Sequence, residues 1–295
     1  MDNFNLIGNL LLSVIRTATP ILFVALGLLV MQSSGIINMG AEGMMLLGAF
    51  VGVIGTYWTG NVWLGVLCAM AASGLASLLF SYFALTFQVN QVVLGVAFNI
   101  LFGGVTTTLS RSVFGLNSAP PKIDGFHDAL FGLPLPVYIA FGLVLAIHLF
   151  FYRTKPGLKI RAAGEYPQAV EVVGLSVVKI RLLSSLLGGL FIGFGGAFLS
   201  LGQLDFFIEN MSNGRGYIAL AAVSFGKFTP IGTMLAVLLF GGGEALQYRL
   251  QAGNSIIPYQ FALMIPYVMT IIALALFIRN ASGPAALGKP YQKSH

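Results

Sequence analysis

The sequence predicts an all-α, polytopic membrane helix bundle of about 8–10 transmembrane segments, given the ~20 apolar residues each crossing requires. Three observations carry that expectation. Apolar residues make up 57% of the chain and charged residues only 8%, with a mean hydropathy of +0.89. A soluble domain carries roughly 25% charged residues, so a surface this poor in charge could not be wetted all round. Long apolar stretches recur along the chain, and the one long polar run between them, 153–181, holds six of the fifteen basic residues: Arg153, Lys155, Lys159, Arg161, Lys179 and Arg181. Lysine and arginine are retained on the cytoplasmic side of a membrane, which makes 153–181 a cytoplasmic loop.

Nine apolar segments follow one another near 18–31, 37–58, 62–86, 91–109, 135–152, 182–201, 214–227, 230–250 and 259–278. The segments at 18–31 and 214–227 are short for a crossing and read as broken or tilted. The N-terminus lacks a basic n-region, and its apolar run continues past Arg16 to Met31, which argues against a cleaved signal peptide. Five spans before the basic loop place the N-terminus outside. Four after it return the tail, with Arg279, Lys289 and Lys293 and no acidic residue, to the cytoplasm. The loop at 110–134, with Pro120, Pro121, Asp124, Asp128 and Pro134, then falls outside. No polar stretch is long enough for a soluble domain, so 1–295 reads as a single membrane domain. Glycines recur inside the spans (Gly48 and Gly52, Gly189 and Gly193, Gly195 and Gly196, Gly241 to Gly243). Small residues at this spacing let helix backbones pack closely, or give a moving bundle its sliding surfaces.

Several function classes drop out. The net charge of +6 lies in juxtamembrane loops, where it acts as a topology signal and not as a nucleic-acid footprint. The single Cys68 lies in an apolar segment and reports neither disulfide nor metal. His127, His148 and His295 are scattered over a loop, a span and the tail, so no triad or metal set forms. The nearest fragment to a phosphate loop, Gly226-Lys227-Phe228, lacks the upstream glycine and the hydroxyl, so ATP is not bound by that route. The sequence predicts no cofactor and no catalytic residue of its own.

Polar groups inside the spans are the remaining candidates. Glu42 lies at the start of the second span, where a carboxylate must face protein or water. Asn38 is placed to cap that helix, with Glu42 in its first turn, where negative charge is favoured; a structural role and a place on a translocation path both stay open. In the fourth span Gln91, Gly95, Asn99, Gly103, Thr106 and Ser110 fall within about 120° of a helical wheel, a stripe that either glues helices or lines a polar route. Glu244 and Gln247 lie one turn apart in the eighth span and could form a polar cluster with Arg249. Within the basic loop, Pro167 suits the first position of a short helix and Gly174 its end. The residues between, through Val173, mix Gln168 and Glu171 with Ala169, Val170, Val172 and Val173. An apolar face exposed there calls for a soluble partner to cover it, or for a helix lying on the bilayer surface.

At these residues the chain resembles the membrane-spanning permease subunits of bacterial ABC importers, in the branch that includes ribose and branched-chain amino acid systems. The resemblance runs over nearly the whole chain and is carried by GIINMGAEGMMLLGAF (35–50), NQVVLGVAFNIL (90–101), GLKIRAAGEYPQAVEVVGLSV (157–177) and ENMSNGRGYIALAAVSFGKFTPIGTMLAVLLFGGGEALQ (209–247). The third block is similar to the family's coupling helix, which docks on the ATPase. It assigns coupling to Arg161, Gly164, Glu165, Pro167, Ala169 and Gly174. The others imply a translocation path along Asn38, Glu42, Gln91, Asn99, Thr106 and Glu244. The Ile-Asn-Met-Gly-Ala-Glu-Gly form and the tail Pro-Ala-Ala-Leu-Gly-Lys-Pro resemble nucleoside-type permeases, where ribose permeases usually carry an Asp-Leu-Ser-containing version of the former. Such systems pair a shorter permease, like this one, with a longer paralogue.

The resemblance therefore implies a bacterial inner-membrane importer of a nucleoside-type small molecule. Its partners would be an ABC ATPase that binds ATP in a separate subunit, the longer paralogue and a periplasmic substrate-binding protein. Riboflavin or sugar cargo is the alternative within the class. An ion-coupled secondary carrier, which would need carboxylates or broken helices at the midplane, is the rival outside it.

Overall fold

The computed structural model describes residues 2–115, 122–130 and 132–252, together with 260, 261, 264, 268, 269, 271, 283–289 and 291. In chain order the helices are α1 (Asp2–Ser33), α2 (Ala41–Thr59), α3 (Val62–Thr86), α4 (Gln91–Phe114), α5 (Leu135–Arg153), α6 (Lys155–Glu165), α7 (Pro167–Val172), α8 (Val177–Leu199), α9 (Arg215–Phe225) and α10 (Pro230–Ala252). Strands β1 (Asp128–Leu130) and β2 (Leu133–Pro134) form a small antiparallel hairpin, the only sheet among the described residues. Among the described residues seven helices are long and apolar enough to cross a membrane: α1 to α5, α8 and α10. The all-α membrane bundle is thus the observed architecture.

Punctuation in the sequence explains the breaks. Gly60 ends α2 in the left-handed region at φ +67°, and the Asn61 side chain then accepts from Trp63 N at 2.9 Å to start α3. Asn90 does the same for α4, accepting from Val92 N and Val93 N. Such caps satisfy the backbone donors that a helix start leaves unpaired.

Three expectations need correction. The first span is not a short segment at 18–31 but a helix running from Asp2 through Arg16 and Pro20 to Ser33. Arg16 is tolerated within it because its guanidinium donates to Gly132 O at 3.1 Å. The basic loop holds two helices, α6 and α7, broken at Tyr166, rather than a single short one. Asn38 does not cap α2: Gly40 is the capping residue, and the Asn38 side-chain Oδ1 instead accepts from Gly40 N at 2.9 Å, closing the turn before it. The segment at 214–227 is indeed broken: α9 has only 11 residues, about 16 Å at 1.5 Å per residue. The ninth expected segment, 259–278, lies largely outside the described residues.

Helix α8 forms the centre, packed on α1, α2 and α3. A Cβ added at Gly188 would reach Gly27 O at 2.7 Å, and one at Gly196 would reach Met45 O at 2.1 Å, so neither position admits a side chain. Where glycine brings backbones together, serine hydroxyls bind them: Ser73 Oγ donates to Met44 O, Ser77 Oγ to Ser185 O and Ser200 Oγ to Ala49 O, at 2.8–2.9 Å. With no hydrophobic drive between helices in lipid, close packing and such bonds hold the bundle. The glycine pattern is therefore helix packing at these positions. By contrast α4 is peripheral, with 17% of its apolar window buried.

The bundle has two distinct ends. At one, the 122–126 segment bonds to the end of α8 through Ile123 N to Asp205 O (2.9 Å) and Phe126 N to Leu201 O (2.8 Å). At the other, α6 meets the elbow between α1 and α2, and the tail residues 283–289 and 291 bond to α6, α7 and the elbow. Five membrane-length helices precede the basic loop, the number expected from the apolar segments.

Candidate functional site

Two regions gather most of the candidate residues. The first is the α6–α7 pair. Thr154 Oγ1 accepts from Gly157 N to start α6, and Pro167 opens α7 at a position whose N–H would be unpaired anyway. Gly174 ends it, with φ +80° and its N–H donating to Glu171 O at 2.8 Å. Pro167 and Val170 turn inward, while Ala169 is exposed and Tyr166, Val172 and Val173 are 70%, 87% and 71% exposed. So much apolar surface outside a lipid-facing helix marks a contact surface. Behind it, a Cβ at Gly164 would lie 2.2 Å from Ser33 O, so α6 sits backbone to backbone against the end of α1. Arg161 lays its guanidinium over the Tyr152 ring at 4.7 Å, and Glu165 accepts from Ala285 N at 3.1 Å.

The second region lies where α9 begins. The chain from α8 ends in a π-helical turn, Ser200–Leu204, then passes Asp205, Asn210 and Asn213 at φ +61°, +59° and +45° before Gly214 caps α9. Asn and Asp tolerate this left-handed backbone better than other side chains. The cap itself comes from another helix: Glu42 Oε1 accepts from Gly214 N and Oε2 from Gly216 N, both at 2.7 Å. A carboxylate filling the donors at a helix N-terminus also meets the positive end of its dipole. Gly216 must be glycine, since a Cβ there would stand 2.6 Å from Glu42 Cα.

Asn99 braces the same corner. Its carbonyl accepts from Gly43 N at 2.8 Å, and its amide donates to Met39 O at 2.9 Å and to Tyr217 Oη at 2.6 Å. These groups border an open cleft of about 350 Å³ that also includes Gly103, Asn210, Asn213 and the half-exposed ring of Tyr217. The Asn99 amide on the peripheral α4, the Tyr217 phenol of α9 and the amides of Asn210 and Asn213 before it point to a water-filled surface, because lipid does not reward them.

The remaining candidates separate from the cleft. Gln91 is buried and accepts from Ile37 N at 2.7 Å, and Thr106 is buried with its hydroxyl bonded to Phe102 O of its own helix. Asn38 is fully buried, its amide against the Met31 and Met44 sulfurs. The α4 stripe thus packs on the elbow at Gln91 and Gly95 and opens to the cleft at Asn99 and Gly103. Glu244 lies elsewhere, paired at 3.0 Å with Arg215, the first residue of α9, which also donates to Tyr248 Oη. Arg215, Tyr217, Asn210 and Asn213 escaped the sequence reading. An arginine inside a membrane segment is itself a pointer, and Arg215 offered that signal. Among the described residues no group of three or more His, Cys, Asp or Glu side chains comes together to hold a metal.

A bundle of membrane-length apolar helices with a broken helix, a polar cleft at the break and an exposed apolar surface at one end has the architecture of a membrane transport component. Residues 10–274 match the family described as the permease component of the branched-chain amino acid transport system, and the chain belongs to that family. It is 36% identical to the guanosine ABC transporter permease protein NupQ of Bacillus subtilis, over 99% of each chain. It is 30% identical to the nucleoside ABC transporter permease protein NupC of Lactococcus lactis, over the full length of both. A further guanosine ABC transporter permease protein of B. subtilis, NupP, is 26% identical over 88% of this chain and 81% of its own.

Proposed function

We propose that this chain is one of two membrane subunits of an ATP-driven importer in a bacterial inner membrane, moving a nucleoside-type molecule inward. The observation that carries the reading is its end-to-end likeness to NupQ and NupC. A periplasmic binding protein delivers the cargo, a separate ATPase subunit binds and hydrolyses ATP, and the tail and the 153–181 loop lie in the cytoplasm. A longer paralogue completes the path. NupP favours that pairing: it comes from the same organism as NupQ, carries the same guanosine designation, and is only 81% covered by this chain.

The geometry supports a mechanism. The exposed Ala169, Val172 and Val173 seat in the ATPase, whose closure pushes on α7 and, through Gly164, on the end of α1. That helix leads by the elbow to Glu42, which holds α9 by its first N–H groups. A displacement at α7 therefore reaches the cleft through contacts already made. Glu42 is spent as a cap for α9, which argues against the ion-coupled carrier, where a carboxylate at a broken helix serves the ion.

The test is reconstitution in liposomes with the paralogue, the ATPase and the binding protein. ATP-dependent guanosine uptake that disappears when the paralogue is omitted supports the reading. Uptake by this chain alone, driven by an ion gradient and indifferent to ATP, would move it to the secondary carriers.

A further inference from the structure

The tail between 283 and 291 makes more directed contacts than a loose terminus needs. Ala286 N donates to Gly164 O and Gly288 N to Gly35 O, both at 2.9 Å, so one short turn bridges α6 and the α1–α2 elbow. Ala285 N donates to the Glu165 carboxylate. Farther on, the Tyr291 hydroxyl donates to the Glu171 carboxylate of α7. Gly283 lies so close to Phe228, in the turn that ends α9, that a Cβ would stand 2.9 Å from its ring. Four separate parts of the chain meet on this segment.

Arg181, the first arginine of α8, binds the assembly from within. It is 1% exposed, and its Nε donates to Ser34 O at 3.0 Å while Nη1 reaches Lys289 O at 3.5 Å. The guanidinium also stands over the Tyr291 ring, 5.8 Å from its centre. A buried cation is retained only where carbonyls and aromatic faces replace water, and here two of those three groups, Lys289 O and the Tyr291 ring, come from the tail. Gly35 is fixed by the same cluster: at φ +98° it takes a left-handed backbone, and a Cβ would meet Arg181 Nη2 at 2.6 Å. Burial, and then the neighbouring Glu171 carboxylate, push the Tyr291 phenol up to about 12, so it remains a donor at any physiological pH.

From this arrangement we infer that the tail residues 283–289 and 291 form a strap carrying the ATPase stroke from α7 to the elbow and to the end of α9, with Tyr291 as the positioning residue that anchors it. The inference rests on the importer reading above. Apart from the strap, α7 packs against α6 and the start of α8. With it, a shift of α7 pulls on Glu171, Tyr291, the tail turn and Gly35 in sequence, and Gly35 lies seven residues before Glu42. None of the described tail residues lines the cleft. The strap's role is to keep the stroke from dissipating in the six-residue α7.

The experiment compares wild type, Tyr291→Phe and a chain ending at residue 282 in the full reconstituted complex. It reads guanosine taken up per ATP hydrolysed, alongside co-purification of the ATPase. Tyr291→Phe removes one hydrogen bond to a charged group and is expected to lower the ratio about tenfold. The truncated chain should lower it at least as far, with the ATPase still bound and still stimulated by the binding protein. Glu171→Gln, which keeps an acceptor oxygen, should retain more coupling than Glu171→Ala.

A wild-type ratio in Tyr291→Phe and in the truncated chain would overturn the strap. So would uptake and hydrolysis falling in proportion, which would make the tail a mere prop of the fold. If the truncated chain does not assemble, the Tyr291→Phe ratio decides alone. A wild-type complex without ATP-dependent uptake would instead refute the importer reading, a result distinguishable from failure of the strap.

Discussion

Replacing Glu42 by Gln preserves the shape of the side chain and removes its charge at the point where α2 holds α9. In the native site each carboxylate oxygen accepts one backbone N–H at 2.7 Å, from Gly214 and Gly216. Gln keeps one acceptor and turns its amide hydrogens toward the second N–H, replacing a bond by a donor–donor contact. Hydrogen bonds to charged groups are worth about 1.5–3 kcal/mol each, and loss of the charge at the helix N-terminus adds to that. Because Glu42 is half-buried and borders the open cleft, water can refill part of the gap. The working figure is then about 2 kcal/mol, or roughly a 30-fold loss in the population with α9 docked. Initial rates of ATP-dependent uptake should fall by about that factor, with a lower melting temperature for the purified subunit. Glu42→Asp keeps the charge but is one methylene short, so it should reach only one of the two N–H groups and lie between. Wild-type uptake and melting in Glu42→Gln would show that the cap is dispensable and refute the argument.

Three further outcomes follow from the same geometry. Ala169→Asp places a charge on the exposed face of α7, away from the spans, and should abolish co-purification of the ATPase while this chain still melts as wild type. In a Cys68→Ser background, Tyr217→Cys and Asn213→Cys should react with water-soluble thiol reagents and Thr106→Cys should not; equal silence at all three would remove the cleft from the aqueous path. Breaking the Arg215–Glu244 pair by Arg215→Met leaves a buried carboxylate unpaired, with an expected cost of about 3–5 kcal/mol, whereas Arg215→Met with Glu244→Met should recover most of it in thermal melts.

Much of this structure was legible in the residues, and the parts that were not share a cause. Span positions follow from composition, and the ends of α7 follow from Pro167 and Gly174, because these are local effects that a residue type imposes on its own backbone. Glu42 could be singled out as a carboxylate out of place. Its partners could not, since Gly214 and Gly216 lie more than 170 residues away and offer only N–H groups, which every residue but proline carries. The misassigned role of Asn38 has the same origin: a capping side chain and one that closes the preceding turn look alike in sequence, and the neighbours decide. The α4 stripe was visible as a polar face, yet Gln91 and Asn99 differ in what they meet. One is closed over by the elbow at Ile37, the other opens on the cleft beside Tyr217. The bonds of the tail were hidden as well, because it takes part in most of them through its own backbone, Ala285 N, Ala286 N, Gly288 N and Lys289 O, which residue type does not reveal.

The elbow between α1 and α2 is where these threads join. Within ten residues the chain supplies Ser34 O to Arg181, Gly35 O to the tail, Ile37 N to Gln91, Met39 O to Asn99 and the Glu42 carboxylate to α9. A segment with so many directed bonds to separate helices cannot move without carrying them, since each group left unpaired away from water costs free energy. Yet it is not a helix whose own ladder would resist bending, and it lies between the exposed apolar surface at α7 and the cleft at α9. Rigid helices around a hydrogen-bonded elbow give a bundle two ends that can shift together. That is what transport driven from one face of the membrane requires of its permease.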